Sequence, residues 1–343
     1  RELELAINTI NTTDASLKQG KLLSQPFEQF LDKENGGVGR APKFPMSPFL
    51  LFIIKQISNN TSQTLETYIK TTLESIMNGG LYDHVGGGFF RYCIDPEWQV
   101  PHFEKMLYDN AQLIELYSKG YQQTKNERFK STVYRSFRFL NKEMKSETGG
   151  YYSALDADYE GKEGGYYTWQ SDETTKILED QSIVFNSLFG ITEKGSWENT
   201  NILRRNNNSV SQFQKSLDWT NQQLENFIEK NLDKLYSARQ KKAGPNIDTK
   251  IITSWNSLFL NTLISTHKIF NDEIFLSEAK NLATFLINKH TKDLLVFRTV
   301  YKNKSIEGKA EDYSAFANAL INLYSVCGDT RFLLKAKGIA DKA

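Results

Sequence analysis

Cysteine is nearly missing from this sequence: Cys93 and Cys327 are the two in 343 residues, far apart and in no CxxC pair. That argues against a disulfide scaffold and against a cysteine-built zinc site. Net charge is nearly missing too, with 42 Lys and Arg against 41 Asp and Glu. Nucleic-acid binding rests on clustered positive charge, so no nucleic-acid partner is expected. The longest apolar run, Phe49 to Ile54, falls far short of the ~20 residues that cross a bilayer. No signal peptide opens the chain, which begins at Arg1 in what reads as the middle of a domain. The expectation is a cytoplasmic protein with no membrane partner, folded as one domain over residues 1–343. Hydrophobic residues at 39% and charged residues at 24% are ordinary for a soluble globular chain of this length.

What is abundant is aromatic. Sixteen Tyr, 22 Phe and 5 Trp make 13% of the chain, and many stand beside glycines. Most Phe are read as core. Tyr and Trp in Gly-rich loops are expected at a surface or cavity mouth instead.

Self-similarity organises the rest. With Phe129, Phe275 and Phe332 as anchors, Asp109, Trp255 and Asp312 occupy one equivalent position twenty residues earlier. A looser fourth copy has Leu65 as anchor and Pro45 at that position. Each copy reads as a helix, a short polar turn and a second helix. Leu113, Leu116, Tyr117 and Tyr121 give the first helix its apolar stripe. An Asn or Asp before the second helix supplies an N-cap. The second helices are expected to close at Asn78-Gly79-Gly80 and Thr148-Gly149-Gly150, with glycine taking the left-handed conformation. Short rims or β-hairpins follow, at Gly88 to Tyr92 and Gly150 to Ser153. Further helices are read at 172–189 and 219–238, and Asn206-Asn207-Asn208-Ser209 as a mobile surface turn. The fold class is all-α. Repeated hairpins close into a ring, first helices inside and second helices outside, with an open α-solenoid as the alternative.

Chemistry-bearing residues concentrate in two stretches. Asn78 to Tyr92 runs on to Trp98-Gln99-Val100-Pro101-His102-Phe103-Glu104-Lys105-Met106-Leu107-Tyr108-Asp109, and holds Asp83, His84, Arg91, Trp98, His102, Glu104, Tyr108 and Asp109. Pro101 is read as guiding entry to a helix, with His102 at its N-terminus as an available base and Glu104 in its first turn. Taken singly, Glu104 reads as a capping residue and His102 as a satisfied structural histidine. Five glycines within Gly79 to Gly88, however, fit a backbone that turns tightly or meets a ligand. The second stretch, Gly149 to Trp169, sets Asp156 and Asp158 among Tyr152, Tyr166, Tyr167 and Trp169. Aromatic faces and carboxylates are what a sugar site needs. Asx-turn chemistry in a rim is the plainer alternative. Asp156-x-Asp158-x-Glu160-Gly161 starts like a calcium loop, but Tyr167 stands where its last acidic ligand belongs. Gly36 to Pro45 lacks the Walker spacing of a phosphate loop. No metal and no cofactor are expected. Arg239, Asp248, Trp255, Asn256, Glu311, Asp312 and Tyr313 join the candidates at the starts of inner helices, while His267 and His290 read as ordinary helical surface.

The runs Gly36-Gly-Val-Gly-Arg-Ala-Pro-Lys-Phe-Pro45, Tyr82-Asp-His-Val-Gly-Gly-Gly-Phe-Phe-Arg-Tyr92, Val100-Pro-His-Phe-Glu-Lys-Met-Leu-Tyr-Asp109 and Tyr152-Ser-Ala-Leu-Asp-Ala-Asp158 carry a resemblance. Thr253-Ser-Trp-Asn256 and Glu311-Asp-Tyr313 extend it over nearly the whole chain. Together they resemble the spermatogenesis-associated, thioredoxin-domain-containing family. That resemblance implies an (α/α)6 toroid similar to N-acylglucosamine 2-epimerases and six-hairpin glycosidases, here incomplete at its C-terminus. It also implies a thioredoxin-like partner domain, absent from this sequence. Asn110 stands where such proteins often carry Gln.

The expected catalytic groups are therefore His84, His102, Asp83, Asp109, Asp156, Asp158 and Asp312. Lys43, Arg91, Trp98, Glu104, Tyr108, Tyr152, Trp169, Trp255, Asn256 and Tyr313 are expected to bind substrate. His84 and His102 would exchange a proton beside a carbonyl for epimerisation, or two of the aspartates would flank a glycosidic bond for hydrolysis. The alternative is a non-catalytic module that holds a saccharide or peptide and works with a separate redox domain.

Overall fold

The computed structural model describes residues 29–59, 62–301 and 304–343. Its backbone repeats in the register that the anchors set. First helices α3 (Leu107–Thr124), α9 (Thr253–Phe270) and α11 (Ala310–Cys327) are each 18 residues long and start at equivalent positions. Second helices α4 (Glu127–Phe139), α10 (Glu273–His290) and α12 (Thr330–Lys342) follow after two-residue turns. Each turn is built alike. Lys125, Asn271 or Gly328 takes a left-handed conformation, and Asn126, Asp272 or Asp329 then caps the next helix through its side-chain oxygen. In the fourth copy, α1 (Ser47–Asn59) begins a little late, while α2 (Gln63–Asn78) starts in register.

The first helices pack on one another in the order α1, α3, α9, α11, forming a curved inner wall backed by their partners. The anchors Phe129, Phe275 and Phe332 are buried in the main core. Between the second and third of these hairpins lie α5 (Ser171–Leu178), α6 (Ser182–Phe189), α7 (Asn207–Leu217) and α8 (Asn221–Arg239). They gather around a second cluster that includes Trp169, Phe185, Leu188 and Leu235. The segment at 172–189 is thus two helices parted by a short 3-10 turn, and Asn206 caps α7 by accepting from the Asn208 and Ser209 amides. The Asn206 to Ser209 stretch is therefore a helix start and not a surface turn.

The glycine pairs do something other than expected. Gly79 is extended, with a φ of −76° and a ψ of −175°, so it does not close α2 in the left-handed form. A Cβ on Gly80 would lie 2.1 Å from the Gln99 carbonyl oxygen, and one on Gly150 2.5 Å from the Phe285 ring. Close backbone approach is the role of Gly80 and Gly150, while Gly149 takes a positive φ of +115° beyond the end of α4.

The rims form at the N-terminal ends of the inner helices. Strand β1 (Tyr92–Cys93) pairs with β2 (Pro101–His102); β3 (Lys105–Met106), β4 (Ala154–Leu155) and β7 (Ile247–Asp248) make one antiparallel sheet. A hairpin of β5 (Asp158–Tyr159) and β6 (Lys162–Glu163) projects beside it. A second three-stranded sheet, β8 (Thr291–Lys292), β9 (Leu295–Tyr301) and β10 (Lys304–Glu307), was not expected from the sequence. Its Val, Phe, Thr and Tyr content was the available signal.

Each of α3, α9 and α11 grips the rim before it with one residue of its first turns. Asn110 accepts from the Phe89 amide at 2.7 Å and donates to the Phe89 carbonyl at 3.0 Å. Asn256 treats Tyr151 the same way, at 2.9 and 3.0 Å, and the Tyr313 hydroxyl accepts from the Val296 amide at 3.1 Å. These residues stand at one position of the repeat. Asn256→Ala leaves both backbone groups of buried Tyr151 without those partners, so a loss of about 2–4 kcal/mol is expected in urea unfolding. A loss below about 1 kcal/mol would contradict this account of the rim.

Candidate functional site

The inner wall carries an open cavity of about 550 Å³. Tyr108 and Gln112 come from α3, Ser254, Trp255 and Leu258 from α9, and Glu311, Ser314, Ala315 and Asn318 from α11. Helical spacing explains the set. Tyr108, Ser254 and Glu311 are one equivalent position, and Gln112, Leu258 and Ala315 are the next turn on the same face. Tyr108 and Trp255 meet edge to face with centroids 4.8 Å apart. Ser254 Oγ on the wall is sealed from solvent without a hydrogen-bond partner, and so is Oδ2 of Asp109, the residue after Tyr108.

Alternation along the extended segment before α3 sorts its side chains. Phe103 and Lys105 point into the core, while His102 and Glu104 keep some exposure. His102 thus sits on a strand, not at a helix N-terminus, and Glu104 precedes the first helical turn, which begins at Leu107. The Arg91 guanidinium donates to Glu104 at 2.9 Å. His102 Nε2 lies 3.9 Å from the same carboxylate, and its Nδ1 lies 2.7 Å from Glu163 Oε1. Tyr92 stacks on the imidazole at 5.0 Å. Glu163 is delivered by the β5–β6 hairpin, whose turn residues Glu160 and Gly161 are both left-handed. The outcome is a connected group of Arg91, His102, Glu104 and Glu163 that continues to Tyr108 and Asp109. Burial pushes the Asp109 carboxyl up to about 7; Arg91 works against this shift and Glu104 adds to it. A carboxylic acid that holds its proton near neutrality is a candidate proton donor.

Several expected site residues lie elsewhere. Asp83 is fully engaged, accepting both guanidinium nitrogens of Arg239 at 3.0 and 2.8 Å and Lys105 Nζ at 2.8 Å. Burial works to raise its pKa, and the two cations outweigh that, holding the carboxyl well below the usual range. Lys105 and Arg239 are themselves inaccessible; Lys105 lies 4.1 Å from the Phe139 centroid and Arg239 5.1 Å from that of Tyr166. This is a buried ionic post under the rim. His84 is also buried, hydrogen-bonded to the Gly79 carbonyl at 3.0 Å and packed on Tyr82 and Phe189. Burial takes its imidazole down to about 3, so it stays neutral. It faces a small cavity shared with α4 and α8, and the structure does not bring it to His102.

Lys43 bonds Asp32 at 2.6 Å and the Pro96 carbonyl at 2.7 Å, under the Trp98 ring. Trp98 donates to the Asn35 carbonyl, and Trp169 belongs to the second core cluster. Burial removes all three from the mouth of the cavity. Asp312 accepts from the Ser254 and Lys309 amides at 3.0 Å each, so it fastens two inner helices. Asn256 and Tyr313 are the rim grips already described. Asp156 and Asp158 are exposed on the rim, Tyr152 is half-buried there, and Asp248 pairs with Lys250 at 2.6 Å. His290 is buried against Thr253 at 2.8 Å, not on a helical surface.

Of the expected set, the structure gathers Arg91, His102, Glu104, Tyr108, Asp109, Trp255 and Glu311 along the rim and cavity. It adds Gln112, Glu163, Ser254 and Asn318. The repeat register contained the signal for three of these, because they share helix faces with Tyr108, Trp255 and Glu311. Glu163 had none, since its hairpin pairing is a tertiary fact.

No family model matches the chain. An uncharacterized protein of Caenorhabditis elegans is 30% identical to it over 89% of this chain and 47% of that protein. Human spermatogenesis-associated protein 20 is 29% identical over 92% of this chain and 45% of its own length. The chain therefore spans about half the length of the curated relatives it matches. Among solved structures, the unsaturated glucuronyl hydrolase of Bacillus sp. GL1 superposes with a TM-score of 0.53 at 10% identity, covering 96% of this chain and 67% of that one. At such identity the likeness shows the fold, an all-α toroid of the (α/α)6 kind. No helix among the described residues is long and apolar enough to cross a membrane.

Proposed function

We propose that this chain, a homologue of the spermatogenesis-associated proteins over about half their length, binds a saccharide in the cavity of its inner wall, with Asp109 as proton donor. The observation that carries this reading is the cavity of the inner wall, lined by Tyr108, Trp255 and polar side chains, with the unpartnered Oδ2 of Asp109 on the residue next to Tyr108. Gln112, Glu311 and Asn318 offer hydrogen bonds to sugar hydroxyls, and the faces of Tyr108 and Trp255 suit the apolar side of a pyranose. The size of the cavity fits a mono- or disaccharide. The solved enzyme of like fold is a glucuronyl hydrolase that degrades glycosaminoglycan, which supports a sugar ligand by analogy of fold.

In this reading His102 and Glu163 form the base side and Asp109 the acid side of an acid–base site. A proton exchange between His84 and His102 has no support, because His84 is sequestered and neutral. Whether the sugar is hydrolysed or isomerised follows from the product. The competing reading, a binding module without chemistry, is favoured by the mutual satisfaction of Arg91 with Glu104 and of His102 with Glu163. Its ligand is a saccharide or peptide, and its partner a thioredoxin-like domain.

The test is thermal stability against a panel of mono- and disaccharides. A ligand at ~100 times its dissociation constant adds about 2.7 kcal/mol, and Trp255→Ala is expected to abolish the shift. Silence across the panel would sink the saccharide reading and direct the search to peptides.

A further inference from the structure

The charges around the cavity are arranged unequally. Glu311 is the one charged residue that lines it, and no lysine or arginine among the described residues does. Arg91 is held by Glu104 at 2.9 Å. Arg298 is held by Glu311 and, at 3.3 Å, by Asp312. Lys119, further along the α3 stripe, lies 3.7 Å from Glu115. The two cations behind the rim, Lys105 and Arg239, are engaged by Asp83 and buried. On the acidic side, Asp109 and Glu163 have no lysine or arginine partner within ion-pair distance among the described residues.

A ligand carboxylate entering this cavity meets one acid, Glu311, and no cation among the lining residues. Its own oxygens cannot donate to the Glu311 carboxylate. A hydroxyl or ammonium group donates there, and an ammonium is further favoured by the faces of Trp255 and Tyr108. Resting on the saccharide reading, we propose that the cavity accepts neutral or amine-bearing sugars and rejects uronic acids. Glu311 enforces part of that rejection, because it neutralises Arg298 at the cavity's edge and presents a carboxylate of its own. Glu311 is exposed and makes no core contact, so its replacement leaves the fold in place.

The experiment measures binding of methyl glucoside, glucosamine and glucuronate to the full chain by calorimetry at pH 8, at low and high salt. Glucuronate is expected to bind at least about ten-fold more weakly than both others, with the gap narrowing as salt screens the acids. Glu311→Gln, which removes the cavity's own carboxylate and leaves Arg298 with Asp312 as its one remaining acid partner, is expected to recover about three-fold or more of the glucuronate affinity. Glucuronate binding as tightly as the neutral sugar overturns the charge rule while leaving the saccharide site standing. An unchanged glucuronate affinity in Glu311→Gln overturns the role of that residue. Binding of none of the three removes the saccharide reading itself, and the charge rule with it.

Discussion

Asp109→Asn should be more stable than the parent at pH 8 and should lose the activity or ligand affinity of the site. The Asp109 carboxyl is raised to about 7 in the folded chain, so the fold favours its neutral form. A raised acid contributes stability that is complete below its unfolded value near 4 and is lost as pH climbs through 7. Above that range the folded protein carries an ionised carboxylate in a place that resists it. Asparagine is neutral and of nearly the same shape, so it removes the conflict. The gain at pH 8 is on the order of 1–4 kcal/mol and should vanish at pH 4, where aspartate is protonated in both states. Urea titrations of both proteins across this interval read the effect. Parallel stability curves from pH 4 to 8 would mean that Asp109 titrates normally and is no proton donor. Stabilisation with loss of function is the signature of a group kept in an unfavourable state for its chemistry.

Asp83→Asn should do the reverse. It leaves Lys105 and Arg239 with a neutral amide where a carboxylate met both, and neither cation can reach water. Breaking a buried ionic group from one side typically costs about 3–5 kcal/mol, and with two cations stranded the loss is expected at or above that range. Glu104→Gln offers the contrast. Its partner Arg91 is more than one-third exposed, so the ion pair is worth at most about 1 kcal/mol. Chemical denaturation separates the two variants directly. If Asp83→Asn keeps the parent's midpoint, the ionic post is not what holds the rim.

These two aspartates also show what the sequence could and could not disclose. Both stand in one motif-rich stretch, 26 residues apart, and both read as catalytic candidates. The repeat placed Asp109 at an inner-helix start equivalent to Trp255, and there the structure finds the cavity. Asp83 belongs to no helix, and nothing in its neighbourhood announces Arg239, which folds in from 156 positions away. Trp98 and Trp169 were misplaced for the same reason: an aromatic beside glycines fits a cavity mouth and a tight core equally well. Periodicity set helix starts, hairpin turns and the inner face. It was silent on the β8–β10 sheet and on the split of the 172–189 segment, where the chain departs from the repeat. Pairing across long separations, as in His102 with Glu163, is visible only in three dimensions.

The inner wall joins helices that are neighbours in space and distant in time along the chain. Thr262 donates to the Ala111 carbonyl at 2.9 Å and Ser118 meets Thr266 at 3.1 Å, so α3 and α9 are stitched together across the whole α5–α8 layer. Closing that gap of about 130 residues is entropically slow to begin, although each doubling of the loop adds only ~0.6 kcal/mol. Each α-hairpin has local contacts and forms early, whereas the seam between α3 and α9 must wait for an intervening layer to collapse. The cavity is therefore one of the last features to appear during folding. On a ribosome, an emerging chain would hold two finished hairpins with an open apolar flank until α9 arrives, and that interval is where a chaperone would have something to hold.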